Sequence, residues 1–344
     1  MRRSRILILA LALAGAGGIL TADTPGTLKK LPVYRRLPRP YFCHGMVAVR
    51  DYIYVIGGHG SGKRLPDVYY AKATADGMIG PWGKGPALPP GKVGFLYHTV
   101  TAGKDCIYVM GGAYKDQSGK DGVSDEVWFS RIGEDGKPGP WAKTSTLPAA
   151  RKFGAGIIGN GRIYYIGGQY NREIYAAMIK PDGSLDKWEE AGKLPTNLYG
   201  MEAVCADGFL YVIGGCVLIN RQSEKVFRAK IMEDGTLGKW RRTESLPAPL
   251  GLYAMAVKGR EVFVFGGSDK KGLILKSTID GDSHFTAWKK VGEMPEPAAQ
   301  SYPVVRVGDN IYFGGGIITG KTNKVLRAMY SMPFVKEGKE EEKK

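Results

Sequence analysis

A run of β-branched and aromatic residues that ends in two glycines recurs six times along the chain. The copies begin at Ile53, Ile107, Ile163, Leu210, Val262 and Ile311 and read IYVIGG, IYVMGG, IYYIGG, LYVIGG, VFVFGG and IYFGGG. Runs of this composition are typical of buried strands, and glycine permits the sharp backbone exit after them. Consecutive copies lie between 47 residues (Ile163 to Leu210) and 56 residues (Ile107 to Ile163) apart. Such a period is typical of propeller blades.

Two further patterns keep the same period. In five units a tryptophan is followed six residues later by Leu or Met and then by Pro; these are Trp82, Trp141, Trp188, Trp240 and Trp288. Another strand-like run lies between the glycine pair and the tryptophan, and it leads to an Asp-Gly pair at Gly77, Gly136, Gly183 and Gly235. Asp-Gly between short strands predicts a tight hairpin turn. Each unit therefore contains four strands, a to d in chain order, and we expect the tryptophans of strand d to pack between units.

The arrangement of the units follows from the need to cover both faces of each sheet. A lone four-stranded unit cannot do so, whereas six units packed radially can. The sequence thus predicts an all-β fold, a six-bladed β-propeller. The last unit has a strand c over Val325–Tyr330 but no tryptophan strand, while Leu31 and Leu37 match an isolated strand d. We therefore expect Leu28–Leu37 to complete the sixth blade, which leaves no open sheet edge.

The double glycine after an apolar strand, with a tryptophan late in each unit, resembles the kelch repeat over nearly all of the chain after about Pro25. Segments such as ADGMIGPW and EDGKPGPW resemble bacterial kelch-like proteins in particular. The resemblance implies a kelch-type propeller. It also implies several functions, because kelch propellers serve as binding platforms, as a sugar mutarotase and as copper oxidases.

The first 22 residues differ from the rest of the chain. Arg2, Arg3 and Arg5 precede the apolar stretch Ile6–Leu13 and a set of small residues, which is the pattern of a secretory signal peptide. The sequence predicts a signal peptide over residues 1–22, the propeller over 23–335 and a charged, disordered tail over 336–344. It also predicts export to the periplasm, the cell envelope or the extracellular space, with no transmembrane segment after signal removal.

The formal net charge is +16, and Lys and Arg are spread over every unit. This distribution favours a solvated basic surface. A nucleic-acid site is not expected, because an exported protein rarely meets nucleic acid. Anionic glycans and anionic envelope surfaces remain as candidate partners of the basic surface. Cys43, Cys106, Cys205 and Cys216 have no regular spacing, so we interpret them as small apolar fillers. No Cys/His metal spacing occurs, and we predict no metal and no cofactor.

The candidate site is the face where loops b–c and d–a gather around the central channel. Nine residues before each b strand stand His44, His98, Gly154, Met201, Tyr253 and Tyr302. Four of the six are His or Tyr, and their imidazole and phenol groups can form hydrogen bonds with sugar hydroxyls. Such residues also form hydrogen bonds with the backbone of a neighbouring blade in kelch repeats. Basic side chains on the loops suit an acidic sugar. The candidate ligand-binding residues are His44, His59, His98, Arg64, Arg151, Arg172, Tyr199, Arg221, Tyr253 and Tyr302.

Two functions compete at this stage. One is an exported binding module for a carbohydrate, an acidic sugar among the candidates, or for an envelope component or protein partner. The alternative is a sugar mutarotase or epimerase, because the sequence resembles the bacterial N-acetylneuraminate mutarotase in blade count, repeat type and signal peptide. In that family a Glu follows one glycine pair and an Arg comes a few residues later. Arg221 matches the Arg, but Cys216 stands where the Glu is expected.

Overall fold

A computed structural model describes residues 29–31, 35–60, 62–90, 96–116, 118–218, 221–267, 272–295, 299–300, 303–318 and 323–334. The predicted signal peptide and tail lie outside the described residues. Within them the fold is all-β, with six four-stranded antiparallel sheets. These sheets are the predicted blades, and in each the strands pair in the order a, b, c, d. No helix in this described part of the chain is long and apolar enough to cross a membrane.

The blade strands are short, and their bounds follow in the order a, b, c, d. Blade 1 has Gly45–Val49, Tyr52–Ile56, Val68–Lys72 and Gly83–Lys84; blade 2 has Thr99–Ala102, Cys106–Met110, Val127–Arg131 and Ala142–Lys143; blade 3 has Ala155–Gly159, Arg162–Ile166, Glu173–Met178 and Glu189–Lys193. Blade 4 has Glu202–Ala206, Phe209–Ile213, Val226–Lys230 and Arg241–Arg242; blade 5 has Ala254–Lys258, Glu261–Phe265, Leu273–Thr278 and Lys289–Glu293; blade 6 has Val304–Val307, Asn310–Gly314, Met329–Pro333 and Lys29–Lys30.

Small antiparallel pairings extend four of the b–c loops. They join His59–Gly60 to Lys63–Arg64, Ala113–Lys115 to Asp121–Val123, Cys216–Leu218 to Arg221–Gln222, and Ile317–Ile318 to both Lys324–Val325 and Ala299–Gln300. The loop face is therefore partly ordered by its own backbone hydrogen bonds.

Strand b is buried on both of its faces, which explains why the repeated run is apolar at successive positions. In blade 1, Ile53 and Val55 pack toward blade 6, whereas Tyr54 and Ile56 pack toward blade 2. The same division in every blade gives six hydrophobic clusters among the described residues, each between two neighbouring blades. The six a strands lie side by side around the central channel. The core is thus a ring of blade interfaces.

The sixth blade is completed by the segment that precedes blade 1, as predicted. Lys29 lies opposite Ser331 and Lys30 opposite Tyr330 in an antiparallel pair. The amide of Leu31 donates to Met329 O at 3.0 Å, and farther along the segment Leu37 N–H donates to the Arg327 carbonyl at 3.1 Å. The partner strand begins at Met329, four residues later than predicted, because Lys324–Val325 pairs within the loop hairpin instead.

In five of the six blades a tyrosine hydroxyl joins strand b to the c–d turn of the next blade. Tyr54, Tyr108, Tyr164 and Tyr211 donate to the carbonyls of Gly136, Gly183, Gly235 and Ser283 at 2.7, 2.8, 3.1 and 2.9 Å. In blade 6, Tyr312 lies 3.4 Å from the carbonyl oxygens of Thr74 and Met78 in the turn of blade 1. The recurrent Tyr therefore supplies the donor, and the recurrent turn the acceptor, of a repeated inter-blade hydrogen bond.

Phe263 occupies the tyrosine position in blade 5, and the topology explains the exception. The next blade has no c–d turn, since its strand d comes from the other end of the described chain. A hydroxyl at residue 263 would lack the usual acceptor. The Phe263 ring instead meets the ring of Phe334 edge-on, with 4.8 Å between centroids.

The tryptophans also connect neighbouring blades, as predicted. The indole N–H groups of Trp82, Trp141, Trp188 and Trp288 donate to the carbonyls of Arg36, Pro86, Ser145 and Glu244, at 2.9, 3.0, 2.9 and 3.4 Å. Each acceptor belongs to strand d, or its flank, in the preceding blade. The tryptophans are structural groups at the outer rim of the ring, away from the channel.

Replacing Tyr108 with Phe tests the inter-blade hydrogen bond. The change leaves the ring in place but removes the donor to the Gly183 carbonyl, which is buried. We expect a loss of about 1–2 kcal/mol in the free energy of unfolding, measured by urea titration. Tyr170→Phe is the control, because Tyr170 is 69% exposed. Equal stabilities of the two variants would contradict this role, and the reciprocal Phe263→Tyr should bring no gain.

Candidate functional site

The b–c and d–a loops meet on one face of the ring. Backbone bridges join Phe42 to His59, Leu96 to Ala113 and Tyr199 to Cys216, in each case linking a segment before strand a to a loop after strand b. The c–d turns lie at the opposite ends of the blades. The central channel opens between the loops of this face.

Two connected cavities occupy the axis of the ring. The mouth has a volume of about 150 Å³ and the channel below it about 290 Å³. His44, His98, Gly154, Met201 and Glu202 line both, which makes the cavities continuous. The mouth wall also includes Cys43, Tyr97, Phe153, Gly200, Leu252 and Tyr253.

The rim of the mouth is a ring of residues in the left-handed conformation. Cys43, Tyr97, Phe153 and Leu252 have φ between 51° and 61°, and Gly200 at the equivalent place has φ 57°. Amide groups connect them from blade to blade: Phe153 donates to the Tyr97 carbonyl, Gly200 to Phe153 and Leu252 to Gly200, at 2.8–2.9 Å. Residues other than glycine rarely adopt this conformation, and such strain often clusters at functional sites.

An aromatic pair stands on this rim. The Tyr97 and Phe153 rings stack with centroids 4.0 Å apart and planes inclined by 24°. Tyr199 lies next to them, with its ring centroid 5.7 Å from that of Phe153. Tyr199 is itself buried and joined to Cys216 through the backbone. Tyr97 and Phe153 are partly exposed, and both line the mouth.

His44, His98 and Tyr253 occupy the predicted ring positions, but each also packs against the preceding blade. A Cβ added to Gly315 would lie 2.6 Å from His44 Cε1, and one added to Gly57 would lie 3.0 Å from His98 Cε1. The glycine pairs thus leave room for these imidazoles. Tyr253 OH donates to the Ile213 carbonyl at 2.6 Å and accepts the Glu202 amide at 3.2 Å. Burial lowers the pKa of His44 to about 3, with a smaller contribution from His98.

Glu202 was missed by the sequence analysis. It follows the ring position in blade 4, where the other blades carry Gly45, Thr99, Ala155, Ala254 and Pro303. Its side chain is partly exposed and lines both the mouth and the channel, and it forms no ion pair with a described residue. Burial raises the pKa of Glu202 from 4.5 to about 8. The available signal was one acidic residue at a position where the other five blades carry small or neutral residues.

Arg151 is fully buried rather than displayed to a ligand. Its guanidinium donates to Glu173 Oε2 at 3.1 Å, to Tyr175 OH at 3.2 Å and to the Gly167 carbonyl at 3.3 Å. Only 2% of the residue is exposed. Arg151 therefore ties the loop before blade 3 to that blade, and the expectation that it contacts a ligand is not supported by its position.

His59 and Arg64 lie in a basic groove beside the mouth. The groove has a volume of about 400 Å³ and is lined by His59, Gly62, Lys63, Arg64, Leu96 and Lys115. Asp121 pairs with Arg64 at 2.6 Å and with Lys115 at 3.3 Å. The adjacent residues Leu96 and Tyr97 belong to the groove and the mouth respectively, so the two sites are neighbours. Burial, and then Arg64, lower the pKa of His59.

The remaining candidates are dispersed. Arg172 is exposed, and its Nε donates to the Leu194 carbonyl at 2.8 Å. Arg221 is exposed in a b–c hairpin, and neither arginine lines the mouth or the channel. Tyr302 lies outside the described residues. Among the residues that are described, no group of three or more His, Cys, Asp and Glu side chains could hold a metal ion. None of the four cysteines, all of which are described, forms a disulfide.

Comparisons with known proteins agree with this architecture. Residues 40–70 match the Kelch motif family. Kelch-like protein 41b of Danio rerio is 25% identical over 226 residues, 64% of this chain and 36% of that protein. Alpha-scruin of Limulus polyphemus is 27% identical over 188 residues, 52% of this chain and 20% of that protein. The chain is a kelch-repeat β-propeller.

The kelch assignment is consistent with the three-dimensional comparison. The solved structure of YjhT superposes with a TM-score of 0.67 at 17% identity, covering 87% of this chain and 95% of that one. At this identity the likeness shows the fold. The chain spans about a third or less of the length of the two kelch relatives named above. The function of this kelch propeller therefore depends on the residues of its own site.

The Glu202 carboxyl should make the stability of the propeller depend on pH. In the folded chain the carboxyl stays protonated up to pH about 8, whereas in the unfolded chain it ionises above about 4.5. Folding thus takes up a proton between these values, and stability falls as pH rises through the window, by at most about 1.4 kcal/mol per pH unit. Glu202→Gln should lack this slope in urea titrations at pH 5, 6, 7 and 8.

The difference between the wild type and Glu202→Gln isolates the carboxyl from other groups. His44 has a lowered pKa and contributes the opposite slope between about pH 3 and 6.5, but it does so equally in both proteins. Glu134→Gln, on an exposed c–d turn, is the matched control and should keep the wild-type slope. Parallel curves for wild type and Glu202→Gln would contradict the assigned environment.

Proposed function

We propose that the loop face of this kelch propeller is a binding surface and that the channel mouth receives a carbohydrate. The observation that carries the proposal is the mouth itself. A strained rim presents the stacked Tyr97 and Phe153 rings above a cavity that is continuous with the channel. Flat aromatic faces suit the apolar faces of sugar rings, and a concave site with few polar groups suits a small ligand.

The charge around the mouth refines the choice of carbohydrate. An acidic sugar was expected on account of the loop arginines, but Arg151 is bonded internally and neither Arg172 nor Arg221 lines the mouth. The basic groove at Arg64 and Lys115 lies beside the mouth, where it would meet a second part of a larger ligand. The proposal is therefore a sugar ring at the mouth, with any acidic group directed toward the groove.

The proposal includes export, which the pattern of residues 1–22 supports. A protein partner is the competing occupant, since kelch propellers commonly bind proteins. The two kinds of ligand differ in the part of the loop face that they would contact. A protein partner would cover the loop face broadly, whereas a carbohydrate would depend on the Tyr97 and Phe153 rings.

Truncating the aromatic rim should abolish carbohydrate binding. The experiment is a glycan array with residues 23–344, followed by calorimetry on the glycans retained. Tyr97→Ala and Phe153→Ala should each weaken binding at least tenfold, since stacking area at the mouth is lost. Tyr170→Ala is the control, because this exposed tyrosine lies on a b–c loop away from the two cavities. Binding that all three variants keep, or no retained glycan, would overturn the proposal.

A second candidate function, sugar mutarotation, is favoured by one observation. Glu202, held protonated near neutral pH, shares the cavity with the His44 and His98 imidazoles. Opening a sugar ring needs a proton donor at the ring oxygen and an acceptor for the anomeric hydroxyl proton. A carboxyl whose pKa is raised toward 8 by burial is protonated at neutral pH and can therefore act as the proton donor. The departure at Cys216 means that the acid would come from strand a rather than from the glycine pair.

Anomer exchange followed by NMR tests the second function. The wild type should accelerate interconversion of the α and β forms of the bound sugar, with a rate that falls as pH rises past about 8. Glu202→Gln should lower the rate at least a hundredfold, because the amide cannot donate a proton and recover it. Exchange at the buffer rate with wild type would remove this function and leave the binding proposal standing.

A further inference from the structure

We propose that the ligand of the mouth carries a primary ammonium group, as an amino sugar does, and that this group pairs with Glu202. The inference rests on the proposed carbohydrate function and narrows it to a chemical class. It depends on the charge inventory of the two cavities and on the chemistry of the rim.

The two cavities contain one carboxyl group, that of Glu202, and no Lys or Arg side chain among their described lining residues. This is unusual for a chain of net charge +16, in which described basic side chains lie in the groove, as Arg64 and Lys115 do, or are buried within a blade, as Arg151 is. A carboxyl in such surroundings lacks a cation to stabilise its ionised form, and a ligand could supply one.

The rest of the wall favours a cation as well. The stacked Tyr97 and Phe153 rings stand at the entrance, and the negative faces of aromatic rings attract ammonium groups. Thr99 Oγ1 already donates to the Gly154 carbonyl, and Tyr253 OH is held by Ile213 and Glu202 backbone groups. Among the described lining side chains, the carboxyl of Glu202 therefore remains as the acidic group for a ligand.

Binding would exchange a proton for the ammonium. The empty site holds Glu202 as a neutral acid near neutral pH. On binding, the carboxyl O–H bond breaks, the proton passes to the buffer, and the carboxylate pairs with the ammonium. Close to one proton should therefore be released per ligand at pH 7. Apparent affinity should rise about tenfold per pH unit between pH 6 and 7.5, and level off near pH 8.

Other titratable groups face Glu202, and their contributions can be separated. His44 and His98 line the same cavity, Tyr253 approaches from blade 5, and Tyr97 and Cys43 stand at the rim. Burial raises the pKa of both Tyr97 and Tyr253, so neither phenol ionises in this range. Protonation of an imidazole would also repel a cation at low pH. A Glu202→Gln variant keeps the imidazoles and loses only the carboxyl.

The test uses two matched pairs of probes with the wild type, Glu202→Gln and the control Glu134→Gln. At pH 7, glucosamine should bind the wild type at least tenfold more tightly than glucose, and the ratio should fall toward one in Glu202→Gln. n-Butylammonium should bind the wild type better than n-butanol. Calorimetry in two buffers of different ionisation enthalpy should report the proton release, and only Glu202→Gln should lose both this release and the pH dependence.

The outcomes separate this inference from the carbohydrate proposal. If glucose and glucosamine bind equally, or if the ratio persists in Glu202→Gln, the ammonium inference is wrong while carbohydrate binding stands. If n-butylammonium binds through Glu202 but no sugar does, the ammonium group is correct and the carbohydrate proposal is wrong. If neither n-butylammonium nor glucosamine binds, the ammonium inference is wrong.

Discussion

The whole molecule depends on strand b being buried on both faces. A strand in this position needs a neighbouring blade on each side, so the first and last blades cannot bury their cores until the ring closes. Ile53 and Val55 face one neighbour while Tyr54 and Ile56 face the other. The inter-blade hydrogen bonds from Tyr54 and its equivalents then fix the register between blades that apolar packing alone would leave loose. Closure is thus a requirement of the core and not an addition to it.

The same closure creates the site. Six a strands brought side by side leave an axial space, and the side chains that line it are partly shielded from bulk water. Glu202 shows the effect, because the pKa of a carboxyl on an open strand would stay near 4.5. The rim adds a second effect. Its left-handed residues turn their side chains over the opening, where Tyr97 and Phe153 meet across a blade boundary.

The sequence predicted the fold well because the fold is encoded by repetition. The glycine pairs, the Asp-Gly turns and the tryptophans each mark one contact that recurs, and even the exception at Phe263 has a topological reason. The site was harder to predict because it depends on what is not repeated. Arg151 has the same appearance in the sequence as an exposed loop arginine, yet it is 2% exposed. Whether a side chain reaches the channel or a neighbouring blade depends on the geometry of the loop. A short sequence motif does not specify that geometry.

The pairing of Lys30 with Tyr330 also has a consequence for how the chain folds. The two residues are 330 − 30 = 300 positions apart, whereas the strands of an ordinary blade come from a single stretch of about 50 residues. Loop-closure entropy for the longer separation is greater by only about 1.6 kcal/mol, so the finished ring is not much less stable for it. The rate is affected more, because contacts of high sequence separation form late. We therefore expect five blades to assemble first, and Lys29–Lys30 to pair with Met329–Pro333 in a separate, slower kinetic phase.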